Sequence, residues 1–347
     1  MAKAINVFFY CSENTLLPIY QFLSKFEQTT LMNTFKQAIK LIIITLICLY
    51  TLPLNAVNTH AKQAEDSKIV WTKLDQYLNK QNAKIGLAVE FISYADSCDY
   101  EHKQNSQRQP QYTYRGTDSF VIMSVAKLPI AMLAMAKVNN RTLRLDTLLK
   151  IDSIDLNRAT HSPVVNGHTQ TFDITLQTAI EASIKLSDNI TTDKIIDALG
   201  GAQVIDSFLH QNQYQGMRFQ TGYRAMTFDN LRSNYATPIV MNQLLFDFYF
   251  NRYHLDQYRD WLYQCMLSTP TGPKRLKALL PKTVSIAHKT GTFFTDSLHI
   301  AINDVGIIRC QKGIILISMF INDFKLSPEK AEAIMAKVGR KIYDHYN

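Results

Sequence analysis

Ser124-Val125-Ala126-Lys127 sets a hydroxyl and an amine three residues apart. One turn of helix carries both to the same face, within reach of each other. A buried, partly neutralised lysine there can take the proton from the serine and leave a usable nucleophile. The pattern alone is weak, and Ser327-Pro328-Glu329-Lys330 repeats it. That second copy has a structural explanation, because Ser327 is a favoured N-cap and Pro328 a favoured first residue of the last helix. Two further triplets single out Ser124. Ser187-Asp188-Asn189 follows 63 residues later, and Lys289-Thr290-Gly291 a further 102 residues on. Each alone has a bland reading, the first as a helix cap and the second as a strand end with a turn glycine. All three in this order, on helix, loop and strand, point instead to one constellation built around a serine nucleophile.

The elements that must position these groups can be read from periodicity. Residues 66–81 have the spacing of an amphipathic helix, 84–94 alternate as a strand, and 112–115 supply a hairpin partner. Residues 124–139 are mostly Ala, Met, Leu and Val, a helix interior in which Pro129 is tolerated near the first turn. From 146 to 267 the chain is largely helical, with helices expected at 173–185, 190–199 and 202–211. Residues 211–236 have little periodicity, and irregular stretches of that length are usually functional. Strands are expected at 283–290, 305–308 and 313–321, and a closing helix at 327–346. The fold class is therefore α/β of the α+β type. An antiparallel sheet built from both termini is flanked by helices, with an inserted all-helical subdomain.

Bulk properties narrow the function. The chain has 347 residues, 46% hydrophobic and 19% charged, as expected of a soluble globular protein with a sizeable core. Its net charge of +8 is scattered, so nucleic acid is not an expected partner. Of five cysteines, Cys11 and Cys48 fall in or before an N-terminal apolar run. Cys98, Cys265 and Cys310 have neither zinc-ligand spacing nor an even count, so no metal and no disulfide framework is expected. The apolar run, 41–54, follows Lys36 and Lys40 and precedes small residues near Ala56 and Ala61. It is short for a membrane span and reads as a secretory signal, with an uncleaved anchor as the alternative. Residues 1–61 are thus an N-terminal extension with signal peptide or anchor, and 62–347 a catalytic domain. An address across the inner membrane, in the periplasm or outside the cell, follows.

The S-x-x-K, S-D-N and K-T-G elements together resemble the signature of class A β-lactamases and penicillin-binding proteins. Thr271-Gly272 with Arg275-Leu276 and Leu279-Leu280-Pro281, which looks like the family's helix before the K-T-G strand, extends the resemblance. So do Asn303-Asp304-Val305-Gly306 and Asn234-Tyr235-Ala236-Thr237-Pro238. The resemblance implies Ser124 as the acylated nucleophile, Lys127 as its base or proton relay, and Ser187 as donor to the leaving nitrogen. It implies Asn189, Lys289, Thr290, Gly291 and Thr292 as substrate-binding residues, with the N–H groups of Ser124 and Thr292 as the oxyanion hole. No cofactor is implied, and the expected protein is a monomer acting on a small β-lactam or a cell-wall peptide.

One position departs from the class A pattern. The resemblance calls for a loop glutamate that activates the deacylating water, and counting from Ser187 and matching the family's Glu-x-x-Met pattern to Tyr223-Arg224-Ala225-Met226 puts Tyr223 there. Tyrosine is a poor base at neutral pH. Asp229, the one carboxylate in the loop 211–236, reads as a solvated loop acid. Three activities stay open: a β-lactamase with slow deacylation, a DD-peptidase-like enzyme, and a non-hydrolytic β-lactam sensor.

Overall fold

The structure, a computed structural model, describes residues 37–43, 65, 67–95, 109–295 and 297–347. It divides into two units, Met1–Ile69 and Val70–Asn347. In the first, residues 37–43 are helical. The remainder of the expected signal segment and Cys11, Cys48 and Cys98 lie outside the described residues. Among the described residues no helix is long and apolar enough to cross a membrane.

The second unit runs α1 (70–79), β1 (Lys84–Ser93), β2 (Tyr112–Tyr114), β3 (Phe120–Val121), a 3-10 turn (Met123–Ala126), α2 (Lys127–Asn139), β4 (Leu148–Ile151), α3 (Ser153–Leu156) and β5 (Phe172–Thr175). It continues with α4 (Leu176–Lys185), α5 (Asn189–Leu199), α6 (Ala202–Gln211), β6 (Met217–Arg218), β7 (Tyr235–Ala236), α7 (Pro238–Tyr249) and α8 (Gln257–Leu267). It closes with β8 (Ile286–Phe294), β9 (His299–Arg309), β10 (Gly313–Asn322) and α9 (Pro328–Tyr346).

The main sheet has the order β2-β1-β10-β9-β8 and is antiparallel throughout. The first long strand therefore pairs with the last, Lys84 opposite Asn322 and Ser93 opposite Gly313. Every residue of β10 is buried because both faces of the sheet are covered. Its side chains divide by the two-residue period of a strand. Ile314, Leu316 and Phe320 join the core shared with the helical region, including Leu128, Met132 and Ile180. Ile315, Ile317, Met319 and Ile321 meet Leu74 and Leu78 of α1 and Ile334, Val338 and Ile342 of α9. The mixed fold with an antiparallel sheet built from both ends is the one expected from the sequence, but the inserted region is not all-helical: it carries the two-stranded β4-β5 sheet and the short strands β6 and β7, whose two- to four-residue lengths leave little periodicity to read.

Helix ends follow their capping residues. Thr237 caps α7 with Pro238 behind it, and Gly200 ends α5 in a left-handed conformation at φ 100°. Ser327 Oγ accepts from Lys330 N at 3.3 Å at the start of α9, so the second S-x-x-K match is a helix cap. Cys265 and Cys310 are buried free thiols, and burial pushes the Cys265 thiol up to about 11.

Candidate active site

Ser124, the expected nucleophile, sits on a short turn tied to the sheet. Val121 N donates to Asn322 Oδ1 at 2.7 Å, and Asn303 Nδ2 donates to Val121 O at 2.8 Å, so two buried asparagines of β9 and β10 fix the approach. Met123 follows with φ 49°, a left-handed conformation that a side chain other than glycine's holds only under constraint. Ser124 then lies in the 3-10 turn and Lys127 opens α2. α2 is apolar on nearly all sides, the pattern of a helix buried in a core rather than laid on a surface. The three-residue spacing does what the sequence required, and Lys127 Nζ lies 3.0 Å from Ser124 Oγ.

Lys127 is wholly buried. Its Nζ donates to the Ser187 carbonyl at 2.7 Å and to Asn189 Oδ1 at 2.7 Å, and the ring centroid of Tyr223 is 4.3 Å away. Burial holds the amine well below the usual lysine range, Lys289 pushes the same way, and Asp188 and Asp193 pull it back up. The ring face favours the ammonium by about 0.5–2 kcal/mol. Burying a charge without a directly paired carboxylate costs several kcal/mol, so burial outweighs the ring and lowers the amine's pKa. In the neutral form two N–H groups serve the two carbonyl oxygens, and the lone pair is left to accept the Ser124 proton.

The S-D-N turn joins α4 to α5. Ser187 has φ 58°, which aims its hydroxyl between two amines: Lys127 Nζ at 3.4 Å and Lys289 Nζ at 3.0 Å. Asp188 is buried and caps α5 by accepting from Thr191 N at 2.9 Å. It also accepts from Ser162 Oγ at 2.6 Å and Val164 N at 2.9 Å, which ties the preceding loop to the turn. The cap reading of this triplet is therefore true of Asp188 and is also what holds Ser187 and Asn189 in place. Asn189 Nδ2 donates to Thr160 Oγ1 at 2.8 Å, leaving one amide hydrogen free for a ligand.

The K-T-G segment forms the opposite wall. A Cβ on Gly291 would fall 2.4 Å from the Ile122 carbonyl oxygen, so glycine is what lets β8 run against the nucleophile turn. Lys289 is buried, and burial pushes its amine down to about 7, Asp304 pulling up and Arg275 pushing down. Thr290 Oγ1 donates to Thr271 Oγ1 at 2.9 Å, and Arg275 Nη2 donates to Thr292 Oγ1 at 2.7 Å. Arg275 also donates to Glu332 and to the carbonyls of Gly291 and Asn303, bracing the strand from behind. Residues 271–280, expected as a helix, are a run of turns. Gly272 takes φ 61° and Pro273 follows, a combination that breaks a helix. Thr160 and Asp193 were not legible as site residues, since nothing in their local sequence marks them, and Thr271 stood only within a resembling segment.

Tyr223 reaches the site from the irregular loop. A three-stranded sheet, β3-β7-β6, staples both ends of that loop to the strand before the nucleophile. Tyr223 N donates to Asp193 Oδ1 at 2.8 Å, and Arg158 Nη2 holds Asp193 Oδ2 at 2.7 Å. Burial raises the Asp193 carboxyl despite Arg158. The Tyr223 hydroxyl donates to the Met123 carbonyl at 3.2 Å. Burial pushes its phenol above the usual range, Asp193 adding to the rise and Ser124 opposing it. Asp229 is exposed, as its reading as a loop acid anticipated. Among the described residues no group of three His, Cys, Asp or Glu side chains could hold a metal ion.

Comparison with known proteins shows the family. The chain is 29% identical to beta-lactamase VEB-1 of Pseudomonas aeruginosa, over 79% of this chain and 89% of that protein. It is 27% identical to a beta-lactamase of Bacteroides uniformis, over 81% and 93% respectively. A beta-lactamase structure from Chitinophaga pinensis superposes with a TM-score of 0.72 at 25% identity, covering 80% of this chain and 99% of that one. A class A beta-lactamase structure from Bacteroides cellulosilyticus gives 0.72 at 25% identity, covering 81% and 98%. With the model of the beta-lactamase enzyme family matching residues 70–346, the chain belongs to that family, in its class A branch.

Proposed function

We propose that the protein opens β-lactam rings through an acyl-enzyme on Ser124, with a fast acylation half and a slow deacylation half. The observation that carries the reading is the Lys127 amine, wholly buried and within 3.0 Å of Ser124 Oγ. Ser124 Oγ attacks the ring carbonyl and its proton passes to Lys127 Nζ. The N–H groups of Ser124 and Thr292 receive the developing oxyanion. As the C–N bond breaks, Ser187 gives its proton to the leaving nitrogen and is resupplied by Lys127. Lys289 and Thr290 hold the substrate carboxylate, and the free amide hydrogen of Asn189 meets the acyl side chain. Family membership favours this over a cell-wall peptidase or a sensor. The lysine-flanked apolar run supports secretion across the inner membrane.

Water must then cleave the ester, and that step needs a base. Tyr223 stands over Lys127 with a phenol that stays protonated. Mixing the protein with benzylpenicillin is expected to give one equivalent of product in a burst, then a slow linear phase, with the acyl adduct visible by intact mass. Tyr223→Glu is expected to speed the slow phase by up to about 10²- to 10⁴-fold, the worth of general-base catalysis. Rapid turnover by the unmutated protein with no adduct would overturn slow deacylation.

A further inference from the structure

We infer that Tyr223 is a positioning residue for acylation: its ring roofs the Lys127 amine, and its hydroxyl holds the peptide group that aims Ser124. The inference rests on the reading of Ser124 as the acylated nucleophile.

The peptide group in question is the one between Met123 and Ser124. Its carbonyl oxygen accepts from the Tyr223 hydroxyl at 3.2 Å, and its N–H belongs to Ser124. Described peptide bonds are trans, so that C=O and N–H point in opposite directions from one rigid plane. Pulling the oxygen toward Tyr223 therefore turns the Ser124 N–H the other way, the donor assigned to the oxyanion. Met123 is left-handed at φ 49°, a conformation that relaxes unless its surroundings hold it. The phenol supplies such a hold, and its high pKa keeps it a donor across the working range.

The ring does a second task. The Lys127 amine is faced by Ser124 on the nucleophile turn, by Ser187, Asp188 and Asn189 at the S-D-N turn, by Asp193 on α5, by Lys289 on β8, and by the Tyr223 ring at 4.3 Å from the loop. The two carboxylates pull the amine toward its charged form, and exclusion of water pushes it away. The ring is the part of that exclusion contributed by the loop. Opening it to water relieves part of the burial and moves the pKa of Lys127 upward.

Two variants separate the two tasks. Rates of labelling by a fluorescent penicillin are measured from mildly acid to alkaline pH for the unmutated protein, Tyr223→Phe and Tyr223→Ala, each checked by thermal melting. Tyr223→Phe keeps the ring: the acid limb of its pH profile stays in place, and the limiting acylation rate falls about two- to tenfold, the effect of one neutral hydrogen bond. Penicillin binding before acylation is unchanged in that variant. Tyr223→Ala shifts the acid limb to higher pH, and Phe restores it relative to Ala. An unaltered limiting rate in Tyr223→Phe, or an acid limb in folded Tyr223→Ala that coincides with the unmutated one, overturns the inference. Absence of labelling in the unmutated protein is a different failure, that of Ser124 as nucleophile.

Discussion

A methyl group at Gly291 is the smallest change that should separate the two walls of the site. The added carbon of Gly291→Ala lies 2.4 Å from the Ile122 oxygen and 3.2 Å from Val125 N, both backbone atoms of the segment that carries Ser124. Neither can swing aside as a side-chain tip would. Restoring an ordinary contact of 3.4 Å or more requires β8 to withdraw by about 1 Å. That strand carries Lys289 and Thr292, so the proposed oxyanion donor and the proposed carboxylate partner retreat together. A displacement of about 1 Å costs roughly 10²-fold in rate. The same overpacking costs about 1–3 kcal/mol of stability, a fall in Tm of about 2–10 °C for a domain of this size. The assay is the second-order rate constant for labelling by a fluorescent penicillin, with a thermal melt alongside. A folded Gly291→Ala protein that labels at the unmutated rate would refute the argument that close approach is why glycine stands there.

Ser124→Ala should abolish labelling and Ser327→Ala should leave it intact, read by peptide mapping of the adduct. Lys289 should titrate near its lowered value of about 7. Below that pH the ammonium pairs with a substrate carboxylate, and above it the empty site holds a neutral amine. Acylation by a carboxylate-bearing β-lactam should therefore weaken as pH rises through about 7 relative to that by its neutral ester. Lys289→Ala should remove this difference at a cost of about 1.5–3 kcal/mol for the charged substrate, and equal losses for both substrates would assign Lys289 another role. Asp188→Ala should cost about 3 kcal/mol in chemical denaturation, because it orphans the donors of Ser162, Val164 and Thr191; a loss under about 1 kcal/mol would mean that water replaces the carboxylate.

The sequence showed the parts of the site that are contiguous and hid the parts that are not. Ser124, Ser187 and Lys289 announce themselves through short motifs, and Tyr223 through its distance from Ser187 and the match to Glu-x-x-Met. Helix α6 was legible to the residue because Gly201 precedes it and its apolar spacing is regular. Strand β9 begins at His299, whereas the pattern shows only 305–308. Buried Asn303 and Asp304 break the apolar run, and only the fold supplies their partners in Val121, Asn322 and His288. The two-residue strands of the loop sheet have no periodicity to read. Gly291 was expected as a substrate-binding residue, and the structure adds a steric reason that no motif spells out. Arg275 stood only among resembling residues, since its work is done on atoms 16 to 57 residues away.

The pairing of β1 with β10 has a consequence for the newly made chain. Residues 84–93 find their main partner only in 313–322, far along the chain. Until residues 313–322 have left the ribosome, the first long strand has an open edge and the sheet lacks the strand that joins β1 to β9. Contacts so distant along the chain are slow to form. An unfinished molecule thus stays open along β1, without the partner that closes its sheet. Cutting the chain before Gly313 should leave a product that never closes its sheet and is cleared by proteolysis, however intact its catalytic motifs.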